Sequence, residues 1–216
     1  MSSIFNLDAP IWEFMGEIAD VVVLSLLWWI CSLGIITIGA STTAMYYVLG
    51  KKVRQETTYV VKDFFKSFKQ NFRQSVPLTL MTIIGYISLF IYLILVFQNL
   101  VTDVQLVPNY VLIPITILFA FEFLNLNAYM WSLLARFELK SVGIIKNSFM
   151  MIHRHLLTTL VNIIIIVAIV FLITQCGLFI IIAPGLIFGG QSYLLQRVYT
   201  SYIEAGAKEA TASQMA

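Results

Sequence analysis

Five long stretches of this chain are apolar and almost free of charge. They cover residues 21–40, 76–97, 111–135, 156–173 and 178–195. A transmembrane helix needs about 20 predominantly apolar residues, so each stretch reaches or approaches the length of a span. Only 11% of the residues are charged, whereas a soluble domain carries about 25%. The sequence therefore predicts an all-α, polytopic membrane helix bundle of about five transmembrane helices, in a single integral membrane domain over residues 1–216.

The first stretch is the least regular of the five. Apolar character continues from Val21 to Leu49, which as one helix would be roughly 45 Å long against a hydrocarbon core of about 30 Å. Gly34 and Gly39 lie in the middle of this stretch, and glycine weakens a helix. We expect a break or a strong tilt at this point.

The basic residues are confined to three segments. Of the thirteen Lys and Arg residues, seven lie within 51–73, four within 136–154, and Arg197 and Lys208 follow the last stretch. Basic loops stay on the cytoplasmic side of a membrane. We therefore expect a multi-pass protein of a bacterial plasma membrane whose C-terminus is cytoplasmic and whose N-terminus is outside.

Residues 61–73 have the periodicity of an amphipathic helix. Phenylalanines occupy one face and cations the opposite face: Phe64, Phe65, Phe68 and Phe72 against Lys62, Lys66, Lys69 and Arg73. Such a helix fits the headgroup layer of an anionic inner leaflet. It could anchor the loop to the bilayer or dock a cytoplasmic partner. Binding to nucleic acid is not expected, because the phenylalanines would contact lipid rather than stack on bases.

Polar side chains at membrane depth form a candidate site. Because an ionisable residue inside a span is expensive, Glu122 is the first candidate. Helical spacing adds other polar groups to a crevice open to the cytoplasm: Asn125, Tyr129, Ser132, Arg136, Asn162 and Gln196. The alternative is a set of hydrogen bonds between helices, with Glu122 protonated or bonded to Asn162. Helix packing is predicted at Gly39, Gly185 and Gly189, since small residues let helices approach closely.

Signatures of catalysis or metal binding are missing from the sequence. His153 and His155 lie at positions i and i+2, about 200° apart on a helix, so they cannot share one metal ion. No HExxH, GxxxxGK or Ser/His/Asp set is apparent. We expect neither a metal, nor a cofactor, nor enzymatic activity.

Three segments carry a resemblance to a known family. They are Phe5-Asn6-Leu7-Asp8; Trp28 to Leu33 with the following TIGASTTA at 37–44; and DFFKSFKQNF at 63–72. The chain resembles the YesL family, bacterial membrane proteins defined as a domain of unknown function. The resemblance implies genes found near carbohydrate-uptake and polysaccharide-degradation systems of Gram-positive bacteria.

Two functions follow from these expectations. The first is an accessory or component of carbohydrate uptake, with a carbohydrate transporter as partner. The second is an interaction or scaffold protein that docks a cytoplasmic or membrane partner on its basic inner face. The resemblance supplies no catalytic residues.

Overall fold

A computed structural model describes residues 10–101 and 108–215, and within these residues the chain is helical with no strand. The helices are α1 (Pro10–Cys31), α2 (Ile38–Val53), α3 (Val60–Val101), α4 (Asn109–Arg136), α5 (Ser141–Arg154), α6 (Leu156–Gln175) and α7 (Phe179–Met215), with a 3₁₀ turn at Ile35–Thr37. The prediction of an all-α fold is confirmed.

Four of these helices are long and apolar enough to cross a membrane. They are Val60–Val101, Asn109–Arg136, Leu156–Gln175 and the Phe179–Ala205 part of α7. Each corresponds to one of the last four apolar stretches of the sequence, so these helices indicate a membrane protein. The predicted total of five spans depends on the first stretch.

The first stretch is not one helix. Residue 20 of α1 lies beside residue 52 of α2 through the Asp20–Lys52 ion pair, and Trp28 Nε1 donates to Thr42 Oγ1 at 3.0 Å. The two helices are therefore antiparallel, and the chain reverses direction between Cys31 and Ile38. The interruption that the glycines suggested is a full reversal.

The reversal is held together by its own hydrogen bonds. Thr37 N donates to the Gly34 carbonyl at 2.8 Å, and the Thr37 hydroxyl lies within reach of the Cys31 and Gly34 carbonyls. A Cβ at Gly34 would come within 2.9 Å of Thr37 Oγ1, so this position suits glycine. Gly39 does not take part in the turn and lies inside α2.

The reversal changes the position of the first helix. Basic side chains cluster at one end of the bundle, where α2 ends and α3 begins, and we call this the basic end. Asp20 contacts Lys52 at the basic end. The contact fixes residue 20 relative to the other helices and not relative to a membrane, so the side on which the N-terminus lies stays a prediction. Residues 1–9 lie outside the described part of the chain.

The predicted surface helix and the second span form the single helix α3. Its 42 residues give a length of about 63 Å, so α3 extends well beyond a hydrocarbon core of about 30 Å. Phe64 is fully buried and Phe68 half-buried, and both pack on α2, whereas Phe65 and Phe72 are exposed. Only part of the phenylalanine face is therefore free to contact a bilayer.

Helix α2 is the centre of the bundle and contacts α1, α3, α4 and α7. Eleven of its sixteen residues are buried, and most of those near its start are small. Small side chains let neighbouring helices approach closely. The hydroxyls of Ser41 and Thr43 donate to the carbonyls of Thr37 and Gly39 at 2.9 and 2.8 Å. These two hydroxyl protons are therefore paired although the side chains are buried.

Candidate functional site

Asn125 and Asn162 join α4 to α6 in the interior. Asn162 Nδ2 donates to Asn125 Oδ1 at 2.8 Å, and Asn125 Nδ2 donates to the Phe121 carbonyl at 2.8 Å. The exposed fractions of the two asparagines are 0% and 1%. This pair is an interhelical hydrogen bond, as expected if the polar side chains at membrane depth join helices rather than line a crevice.

Glu122 lies on a different side of α4. Its Oε1 is 3.4 Å from His153 Nε2 of α5, and the exposed side-chain fractions of the two residues are 28% and 51%. Glu122 is therefore not bonded to Asn162, whose amide is taken by Asn125. The structure does not bring Glu122 together with Asn125 and Arg136 as the floor of one crevice.

Tyr129 and Ser132 are buried in the core that α4 forms with α5 and α7. Tyr129 is fully buried within the hydrophobic cluster that includes Tyr199, and Ser132 is 1% exposed. The hydroxyls of Tyr129 and Tyr199 make no hydrogen bond to the described residues. These residues pack the helices together and do not line an open space.

Arg136 and Gln196 belong to the basic end. The Arg136 guanidinium lies over the rings of Phe137 and Tyr199, 5.7 and 5.8 Å from their centroids. Gln196 Oε1 accepts a hydrogen bond of 3.2 Å from Arg54 Nη1. The seven candidate side chains therefore separate into a buried amide pair, the core residues Tyr129 and Ser132, a Glu122–His153 contact and a basic cluster.

Paired charges surround this cluster. Arg54 donates two hydrogen bonds to the Glu56 carboxylate, and the Nη2–Oε2 distance is 3.1 Å. This hydrogen bonding holds the pKa of the Glu56 carboxyl below its usual value. Lys51 Nζ is 2.8 Å from Asp63 Oδ2, which ties α2 to the start of α3. These pairs fix the ends of the helices without neutralising the more exposed cations.

An open groove of about 830 Å³ lies at the basic end between α3 and the segment that links α4 to α5. We call it the basic groove. Its charged groups are Lys66, Arg136 and Lys140, with Glu138 as the one carboxylate among the described residues that line it. The neutral lining consists of Tyr47, Gln70, Asn71, Gln74, Leu134, Ala135, Phe137, Leu139 and Ser141.

One wall of this groove has a signal in the sequence. Lys66, Gln70 and Gln74 follow one another at intervals of four residues, which places them on one face of a helix. The other wall depends on the Gln74 amide, which donates to the Leu139 carbonyl. That contact joins segments 65 residues apart and cannot be read from local spacing.

The three predicted packing glycines have different environments. A Cβ at Gly39 would overlap Thr79 and Trp131, and a Cβ at Gly185 would overlap α1, whereas Gly189 has no neighbouring atom within 4 Å. Gly39 and Gly185 are thus close-packing positions and Gly189 is not. Gly190 lies closer to α6 than Gly189 does, because a Cβ added at Gly190 would lie 3.2 Å from Ile165.

Among the described residues, no group of three or more His, Cys, Asp or Glu side chains is arranged to hold a metal ion.

Comparison with protein families gives a clearer result. Residues 21–97 match the family model described as "Protein of unknown function, DUF624". This is the family commonly called YesL-like, and the resemblance is confirmed.

The DUF624 match covers α1 from residue 21, all of α2, and α3 up to residue 97. It therefore includes the chain reversal and the α3 wall of the basic groove. The motif at residues 5–8 lies outside both the match and the described residues. No curated protein was found to match the chain, and no solved structure was found to match it either.

Proposed function

We propose that this chain is a multi-pass protein of a bacterial plasma membrane that binds an acidic segment of a partner protein in its basic groove. The observation that carries the proposal is the groove itself, which combines three cations with a row of side-chain amides. The role is one of binding rather than catalysis.

The orientation follows from charge. The cations of 51–73 and 136–154 lie at one end of the bundle, and basic segments remain on the cytoplasmic side of a membrane. The groove then opens to the cytoplasm. The Asp20–Lys52 contact supports the same side for the first half of α1, and we infer that side for the C-terminal part of α7 as well.

The chemistry of the groove favours a peptide. Lys66 and Lys140 are exposed and attract carboxylates, while the Gln70 amide can both donate and accept hydrogen bonds. Asn71 offers its amide oxygen, because its NH₂ group donates to Ser67. A peptide backbone presents the same pairing of donors and acceptors. A groove of about 830 Å³ is also within the size range of binding pockets, about 300–1,000 Å³.

Two further partners belong to this proposal. The family resemblance makes a component of a carbohydrate importer the first protein partner to test, with this chain as its accessory. The exposed part of α3, including Phe65, Phe72, Lys62 and Lys69, suits contact with an anionic inner leaflet.

Site-specific photo-crosslinking from the groove tests the proposal. A photoreactive residue replaces Gln70 in the native membrane, and adducts are compared between parent, a Lys66→Glu/Lys140→Glu variant and a Lys146→Glu/Arg197→Glu variant. The two variants change net charge equally, but Lys146 and Arg197 do not line the groove. We expect one discrete protein adduct whose yield falls about tenfold only in the groove variant, because the lost charge pairs face the partner.

Equal loss of the adduct in both variants would show that net charge, not the groove, attracts the partner. Adducts with anionic lipid alone would replace the protein partner with a headgroup. Recovery of importer subunits decides whether the partner belongs to carbohydrate uptake.

A further inference from the structure

A second cavity, of about 300 Å³, lies inside the bundle between α2, α3, α4, α6 and α7. We call it the inner cavity. None of the described residues that line it is Asp, Glu, Lys, Arg or His, and most are aliphatic or aromatic. Its volume is at the lower end of the range for small-molecule sites. It is separate from the basic groove, with which it shares no lining residue.

Unused hydrogen-bond donors lie on the α2 and α7 side of the inner cavity. The Tyr46 hydroxyl donates to Gln191 Oε1, and Thr42 Oγ1 accepts from Trp28 Nε1 at 3.0 Å. These bonds use the amide oxygen of Gln191 and a lone pair of Thr42. They leave the Gln191 NH₂ group and the Thr42 hydroxyl proton as donors.

The other polar groups of the cavity are largely satisfied within their own helices. Thr79 and Thr82 donate to the carbonyls four residues earlier, at 2.8 and 2.9 Å, and Asn127 Nδ2 donates to the Phe123 carbonyl at 2.8 Å. The Thr42 hydroxyl and the Gln191 amide are therefore the donors that the α2 and α7 side of the cavity offers a bound molecule. The buried Asn127 Oδ1 of α4 adds an acceptor that has no hydrogen-bond partner among the described residues.

The wall away from the basic end is apolar. Helix α3 runs away from the basic end, so Ile83 and Tyr86 lie farther from that end than Thr79. Helix α4 runs toward the basic end, so Leu124 lies farther from that end than Trp131. Tyr86 and Ile38 are 47% and 36% exposed, so the lining reaches the outer surface of the bundle. The inner cavity thus has a polar floor, hydrocarbon walls and contact with the exterior.

We propose that the inner cavity binds an uncharged single-chain amphiphile, with a hydroxyl or ester head on Gln191 and Thr42 and a hydrocarbon chain between α3, α4 and α6. A charged head is disfavoured because the site has no counter-charge in a low-dielectric setting. A saccharide is disfavoured because its many hydroxyls would find few polar partners in a lining that is mostly aliphatic or aromatic, and unpaired buried hydroxyls are costly.

Quenching of tryptophan fluorescence by 11-bromoundecan-1-ol tests this proposal. In a Trp12→Phe/Trp29→Phe background the remaining tryptophans are Trp28 and Trp131, and Trp131 lines the cavity. We expect saturable quenching in the purified full chain in lipid nanodiscs. Undecan-1-ol should reverse it by competition. The charged analogue 11-bromoundecanoate should bind about tenfold more weakly, because its head must be desolvated without a cation.

A matched pair of substitutions locates the binding. Thr82→Leu adds volume at the cavity wall, and Ser88→Leu makes a similar change on the same helix at a residue that does not line the cavity. Both native hydroxyls donate to the carbonyl four residues earlier, at 2.9 Å. The quencher concentration at half-saturation should rise about tenfold in Thr82→Leu and stay unchanged in Ser88→Leu. The leucine at position 82 fills the space in which the ligand's hydrocarbon chain would make its contacts.

Quenching that never saturates, or that is the same in both variants, would overturn the proposal by showing exchange with bulk lipid only. Equal affinity for the alcohol and the carboxylate would overturn it independently of how Thr82→Leu folds. Displacement by maltose and not by undecan-1-ol would replace the amphiphile with a saccharide. Neither result bears on the partner crosslinked from the basic groove.

Discussion

Asn125 and Asn162 are the clearest case of a polar contact whose energy can be measured one residue at a time. Asn125→Leu alone leaves the buried Asn162 amide without its partner, and we expect a loss of about 1–3 kcal/mol in the free energy of unfolding. Asn162→Leu should cost about as much. The double variant should recover most of the loss, because two apolar groups in place of both partners are nearly neutral. Unfolding in mixed micelles with rising SDS measures all three.

Asn127→Leu serves as the control for the asparagine pair. It lies on the same helix, and its amide donates only to the Phe123 carbonyl of that helix, so the change should stay below about 1 kcal/mol. Strictly additive effects of Asn125→Leu and Asn162→Leu would mean that the two side chains are not coupled.

At the scale of helices, three glycines predicted to act alike separate into two kinds. A Cβ at Gly39 or Gly185 would overlap a neighbouring helix, while one at Gly189 meets no atom within 4 Å. We expect Gly39→Ala and Gly185→Ala each to lower the free energy of unfolding by about 1–3 kcal/mol through overpacking. Gly189→Ala should raise it by up to about 1 kcal/mol, because alanine favours the helix. The same SDS titration ranks the variants.

Gly189→Ala is also the internal control, since it lies four residues from Gly185 on the same helix. A destabilisation of Gly189→Ala equal to that of Gly185→Ala would contradict the separation. It would indicate that both glycines face a neighbour, as their spacing alone suggested.

At the scale of the whole molecule, the reversal between α1 and α2 puts the two described ends of the chain on one side. Single cysteines replacing Glu17 and Glu204, made without Cys31 and Cys176, should react with an impermeant maleimide only after the membrane is opened. The native Cys176 is exposed in the turn between α6 and α7. In a Cys31→Ala chain it should react in intact spheroplasts, because that turn lies at the opposite end from the basic residues.

Labelling of residue 17 from outside would restore the arrangement with an outside N-terminus and a single first span. Labelling of Cys176 only from inside would invert the whole map, and the basic groove would then face away from the cytoplasm.

The apolar stretches alone determined that the chain folds as α-helices of membrane length. A backbone in hydrocarbon must satisfy its own hydrogen bonds within each segment, so composition over about 20 residues is sufficient to predict Asn109–Arg136 or Leu156–Gln175. The segregation of positive charge was equally visible, since it depends only on order along the chain. Asn125 and Asn162 were also singled out from the sequence, because polar residues within a span need partners, but the partner suggested for Asn162 was Glu122 and not Asn125.

Tertiary structure decided everything that depends on residues far apart in sequence. The Asp20–Lys52 contact shows that the first stretch reverses, and the Glu122–His153 contact places Glu122 against α5 rather than against Asn162. The two walls of the basic groove come from segments that the Gln74–Leu139 hydrogen bond joins across 65 residues of sequence. Helical periodicity predicts which face of a helix a residue occupies, but the neighbour that covers that face depends on how the helices pack.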